Sequence, residues 1–175
     1  MIKSIILNCL RNSRFNVLAF ITVLTLTGCQ SVPKINVDVD PYYKDTSLQV
    51  DLVGVNSSQY EVWSEKSVNE YFTPGDNFRQ SADKKTLNFG ENRPPLQTLP
   101  TGDPIWNGWK KNDISHIFVL VNLPGISDEQ VDKRRQVIPL EPQAWKSSAL
   151  SLNSVPNEIK VNVAPTGVRL VPSPE

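Results

Sequence analysis

His116-Ile-Phe-Val-Leu-Val-Asn-Leu123 is the most apolar run in the part of the chain that reads as a folded domain. It is bounded by Pro124-Gly125 and is too short for a core helix, so it reads as a strand. Val119 and Val121 lie on one face, Phe118 and Leu120 on the other. Both faces are apolar, so the strand is central and covered on both sides.

The segments on either side repeat the strand pattern. Downstream, Ile126–Lys133 is a polar loop and Arg134–Leu140 a strand, with Val137 and Ile138 before Pro139. Glu158-Ile-Lys-Val-Asn-Val163, a turn at Ala164-Pro-Thr-Gly167 and Val168-Arg-Leu-Val171 form a hairpin, with Ile159, Val161 and Val163 facing in. Upstream, Leu48–Val55 alternates, with Leu48, Val50 and Leu52 on one face. Asn56-Ser57-Ser58 can cap a helix that starts just after it. Gln59–Phe72 spaces Tyr60, Trp63, Val68, Tyr71 and Phe72 almost helically, which predicts a short amphipathic helix ended by the turn Thr73-Pro-Gly-Asp76. Thr86–Phe89 is a short strand closed by Gly90. Pro94, Pro95, Pro100 and Pro104 exclude regular structure from much of Glu91–Lys111, and Trp106 and Trp109 then fall on one helical turn. These elements predict a mainly β domain over residues 48–175. Its architecture is a small antiparallel β-sandwich with one short helix after the first strand.

The chain has 175 residues and carries 18 basic and 18 acidic side chains. Lys3, Arg11 and Arg14 fall in Met1–Gly28, which has no acidic residue; the remainder holds 15 basic against 18 acidic side chains, a net charge of −3. That balance argues against a nucleic-acid partner, which needs a basic face to displace counterions. It argues equally against polybasic attraction to anionic lipid.

Membrane attachment is predicted from a different feature. Lys3, Arg11 and Arg14 form a positive region ahead of Phe15–Leu26, an apolar stretch of signal-peptide length and too short to span ~30 Å of hydrocarbon. An uncleaved anchor helix reaching back to Ile5 would bury Arg11 and Arg14 at ~2.5–3.5 kcal/mol each. Leu26-Thr27-Gly28-Cys29 then resembles the bacterial lipobox, with small residues before the cut and a thiol that carries the lipid. Residues 1–28 are read as a lipoprotein signal peptide, and Cys29 as the lipid-attachment site. As in the lipoprotein class, Gln30 implies sorting to the outer membrane, facing the periplasm. The only other cysteine, Cys9, lies in the removed segment, so the mature chain can form no disulfide and depends on its core. Residues 29–47 are read as a lipidated N-terminus and flexible tether spanning roughly 20–25 Å. Within it, Lys34–Val39 alternates and is the one candidate for an edge strand.

Residues for catalysis are scarce. His116 is the single histidine, with no ligand at metal spacing, and reads as structural. There is no Ser-His-Asp set and no glycine-rich phosphate loop. Asp51, Asp76 and Asp83 read as ordinary carboxylates rather than an acid-base pair. The chain is predicted to be no enzyme, with no cofactor and no metal. Trp63 and Trp145 read as core. For Trp106 and Trp109 two readings stand: core packing, or an exposed partner-binding patch on a proline-rich loop.

The order of features resembles the TssJ-type outer-membrane lipoprotein of type VI secretion systems. The resemblance rests on the lipobox, the helical segment after the first strand and the Pro74-Gly75 turn. It continues through His116–Leu123, the charged stretch Gln130–Arg135, Val137-Ile-Pro-Leu140 and the closing pair Glu158–Val171. It implies a transthyretin-like sandwich acting as a structural component of a secretion-type membrane complex. The implied partners are membrane lipid, through Cys29, and an envelope protein such as the large inner-membrane protein of that system. Glu91–Lys111 and Trp145–Val155 depart from the family pattern. The alternative function is a periplasmic binding module for a small ligand or peptidoglycan, with a pocket lined by Trp106 and Trp109.

Overall fold

A computed structural model of the chain describes residues 32–126, 133–142 and 154–171. Among the described residues, eight strands form two four-stranded sheets. In the first sheet the order is β4 (Leu96–Leu99), β1 (Lys34–Val39), β7 (Glu158–Ala164), β8 (Gly167–Val171). In the second it is β3 (Lys84–Phe89), β2 (Leu48–Asn56), β5 (Ile114–Val121), β6 (Arg135–Pro139). Each of these pairs is antiparallel except β1 with β7, which run parallel from Lys34↔Glu158 to Val39↔Val163.

The inward residues of both sheets make one core. Ile35, Val37, Leu99, Ile159, Val161 and Val163 come from the first sheet. Leu48, Val50, Leu52, Phe89, Ile117, Val119, Val121 and Ile138 come from the second. This is the predicted small β-sandwich, with β5 between β2 and β6 and buried on both faces.

Phe118 and Leu120 face the other way. With Val53 and Val55 they meet Trp63, Val68 and Tyr71 from a helical layer that covers the second sheet. The single predicted helix is three short ones: α1 (Tyr60–Glu65), α2 (Val68–Phe72) and α3 (Asn77–Ser81). The breaks coincide with caps. Ser67 accepts from the Glu70 N–H at 3.1 Å, and Asp76 from the Arg79 N–H at 2.8 Å. Each restarts the helix where its side chain satisfies an orphan donor. Asn56 Oδ1 accepts from the Gln59 N–H at 3.1 Å and so opens the layer. At the far end of α1, the Arg135 guanidinium donates to the carbonyls of Trp63, Ser64 and Lys66, a cation on the negative end of the helix.

The flexible tether is corrected at Lys34–Val39. That segment is β1, an interior strand of the first sheet. Ile35 and Val37 are wholly buried and Val39 is nearly so. Without β1, neither β4 nor β7 would have its shared hydrogen-bonding partner, and three apolar side chains would be left in water. Pro33 and Pro41 bound the strand instead of dissolving it. The folded domain therefore starts before Leu48, and the helical layer comes after the second strand, not the first. Glu91–Lys111 also has more order than its prolines predict: it contains β4 and a fourth helix, α4 (Ile105–Lys111). Trp145 and most of Trp145–Val155 lie outside the described residues.

Candidate functional site

Cys29 and Gln30 lie outside the described residues. The first residues described are Val32, which packs against the core, and Pro33. Lys34 then enters the sheet: its N–H donates to the Asn157 carbonyl at 2.8 Å, and its Nζ lies 2.9 Å from Glu158 Oε2. The described chain thus begins at one end of the sandwich, where Lys34 is fixed in the sheet.

Among the described residues, that end is closed by α4. The helix carries the chain from the end of β4 to the start of β5, crossing between the sheets where β1 begins. Asp103 Oδ1 accepts from the Ile105 N–H at 3.0 Å, at the start of the helix. Asp103 also meets Lys85 Nζ at 2.7 Å. The lysine's hydrogen bond, joined by that N–H, holds the Asp103 carboxyl below the usual carboxylate range.

Trp106 and Trp109 turn inward from α4 and are 3% and 1% exposed. Their rings meet edge to face at 5.0 Å. Trp106 Nε1 donates to the Pro100 carbonyl at 2.9 Å, and Trp109 Nε1 to the Asp83 carbonyl at 3.2 Å. Both indoles fill the mouth of the sandwich, so the partner-binding patch is corrected: these side chains are core. The outer surface of this end carries Thr101, Asn107, Lys110 and Lys111, all exposed.

At the opposite end lie the turn Pro41–Tyr43 and the segment from Gly90 to Pro95. Between them lies a cleft of about 370 Å³ that includes Tyr43, Phe89 and Arg93. A second cleft, about 540 Å³, lies beside Trp63, Phe78 and Asp83. Trp106 and Trp109 line neither of these two clefts.

The three candidate carboxylates are each held by structural partners, and Arg79 serves two of them, Asp51 through its side chain and Asp76 through its backbone N–H. Asp51 is wholly buried under the helical layer. It accepts from Tyr71 Oη at 3.0 Å, Arg79 Nε at 2.9 Å and Thr86 Oγ1 at 2.6 Å. The Arg79 guanidinium also lies 4.7 Å from the centre of the Phe72 ring. Burial first, then the Asp51 charge, pushes the Tyr71 phenol far up, so it remains a donor. Asp76 caps α3 and meets Lys66 Nζ at 2.9 Å. Asp83 accepts from Asn112 Nδ2 at 3.3 Å.

His116 bonds Ser115 Oγ through Nδ1 at 2.9 Å, with the Tyr60 ring 4.6 Å away. Among the described residues no cluster of His, Cys, Asp or Glu is arranged to hold a metal.

No family model and no curated protein sequence matches the chain. Solved structures do. Serratia marcescens Lip, a membrane bound component of the type VI secretion system, aligns with TM-score 0.50 and 12% identity over 82% of this chain and 97% of its own. A chain of the structure of the type VI secretion protein TssM C-terminal domain, from EAEC, aligns with TM-score 0.52 and 9% identity over 80% of this chain and 100% of its own. The lipoprotein TssJ1 of Pseudomonas aeruginosa aligns with TM-score 0.39 and 14% identity over 81% of this chain and 96% of its own. The chain shares its fold with Serratia marcescens Lip. At these identities the likeness is one of fold. Within that fold, the segment from Glu91 to Lys111, which the sequence sets apart from the family pattern, supplies both an edge strand and the Trp plug.

Proposed function

We propose that this protein is a lipid-anchored, non-catalytic component of the envelope complex of a type VI secretion system. The observation that carries the proposal is a juxtaposition. Leu26-Thr27-Gly28-Cys29 stands directly ahead of a sandwich sharing its fold with a membrane bound component of that system. Cys29 carries the lipid, Gln30 directs the chain to the outer membrane, and the domain faces the periplasm. Its protein partner is the periplasmic part of a larger inner-membrane protein. The fold shared with a chain of the TssM structure ties the domain to the same system. A non-catalytic role is supported by the three candidate carboxylates, each engaged in a structural hydrogen bond or ion pair. With Trp106 and Trp109 in the core, the partner meets other residues.

The test is metabolic labelling with an alkyne fatty acid. Wild type takes up label, whereas Cys29→Ser takes up none and retains residues 1–28 by mass. Equal label on both proteins would reject the anchor. Gln30→Asp moves the labelled protein toward inner-membrane fractions on a density gradient. Affinity purification of the acylated protein from membranes should recover a large inner-membrane protein, and failure to do so would reject the complex.

A further inference from the structure

We propose that the end of the sandwich closed by α4 rests on the lipid headgroups, with the Pro41–Tyr43 end directed away from the bilayer. This orientation deepens the proposed function and rests on acylation of Cys29. The argument is one of chain length. Lys34 is held in the sheet by the Asn157 carbonyl, and Val32 already packs against the core. Only Gln30 and Ser31 separate Val32 from Cys29. Three residue steps reach at most about 11 Å even when fully extended. A lipid on Cys29 places that residue at the bilayer surface, where the headgroup layer is itself about 5–8 Å deep. The end of the domain where β1 begins is therefore confined to the headgroups and the few ångströms beyond.

The surface at that end suits such a contact. Trp106 and Trp109 are turned into the core, so they do not draw the domain into hydrocarbon. Lys110 and Lys111 are exposed in the last turn of α4. Headgroup phosphates fall within a Debye length, about 8 Å, of such side chains. With −3 on the mature chain overall, this contact is oriented by the tether and supported locally by the two lysines. The other end lies roughly 20–30 Å further out, the length of six to nine strand residues.

The test uses the full, natively acylated chain in phosphatidylethanolamine/phosphatidylglycerol vesicles. The mature chain has no thiol besides Cys29, so Thr101→Cys and Tyr42→Cys can each be spin-labelled alone. A nickel chelate on the headgroups should relax the label at position 101 several-fold more than the label at 42. Equal relaxation, or more at 42, would overturn the orientation. A Gly/Ser insertion after Ser31 that adds roughly 20 Å of reach should shrink the difference; an unchanged difference would overturn the tether argument. Vesicle flotation separates the two claims. Protein that floats with equal relaxation rejects the orientation alone, whereas protein that fails to float rejects acylation and this proposal with it.

Discussion

Trp109 lies directly over Gly54. A Cβ built on that glycine would fall 2.5 Å from Nε1 of the indole. The rest of β2 points bulky side chains into the core at Leu48, Val50 and Leu52. At Gly54 the strand gives up its side chain, and the ring of α4 takes the space.

Gly54→Ala is therefore expected to destabilise the domain. Neither the strand backbone nor a wholly packed indole can move without cost, and overpacking of this kind costs ~1–3 kcal/mol. Urea denaturation of a chain beginning at Gln30 measures it. A neutral result would mean that Trp109 has room to shift and that the α4 plug is loose.

Trp106→Ala and Trp109→Ala test the same plug from the other side. Each is expected to cost ~3–5 kcal/mol, the usual loss for a buried Trp. The double variant should fail to fold. A double variant melting within a few degrees of wild type would restore the exposed-patch reading of these residues.

These two indoles also show where sequence reading succeeds and where it stops. His116–Leu123 and the hairpin Glu158–Val171 are legible because apolar runs and alternation directly reflect the faces of a strand. Lys34–Val39 alternates just as well. Its flanking prolines and polar neighbours favour a spacer, and only pairing with β4 and β7 decides otherwise. β4 gives almost no signal, since Leu99 is its one buried residue. For Trp106 and Trp109, composition does not separate core from interface. The available signal is Gly54: a glycine inside a strand marks close approach by another group. The Ser67 and Asp76 caps are also readable as breaks in the helical stretch.

Leu120→Ala probes the second core. Leu120 is 2% exposed and packs with Phe118, Trp63 and Tyr71 beneath the helices. The expected loss is ~2–5 kcal/mol. A loss under ~1 kcal/mol in chemical denaturation would show that the helical layer yields and refills the gap.

Asp51→Ala should be costly for a different reason. It removes the acceptor for Tyr71, Arg79 and Thr86 together. The Arg79 side chain is 24% exposed, so part of its charge can be rehydrated, whereas Tyr71 is wholly buried. Breaking a buried pair by removing one partner typically costs ~3–5 kcal/mol. Asp51→Asn, which keeps an acceptor, should recover part of that loss. If both variants match wild type in denaturant, the network contributes nothing to stability.

The single histidine allows one pH step to be assigned to one residue. Burial lowers the His116 pKa below its ordinary value of 6.5 and outweighs the opposing charge of Glu141. The unfolded chain therefore takes up this proton at a higher pH than the folded chain. Between the two pKa values the unfolded state binds more protons, so stability rises with pH there. The contribution of His116 is complete above about pH 6.5 and declines as pH falls through that value toward the folded pKa. Melting temperature should accordingly drop on acidification below about pH 6.5, before carboxylate protonation takes effect. His116→Gln cannot titrate and should remove this first step, leaving the loss at lower pH, to which Asp103 contributes. Thermal melts of both proteins from pH 8 to pH 4 decide the point. If wild type and His116→Gln run parallel across that range, His116 has the same pKa folded and unfolded, and its burial against Tyr60 carries no electrostatic cost.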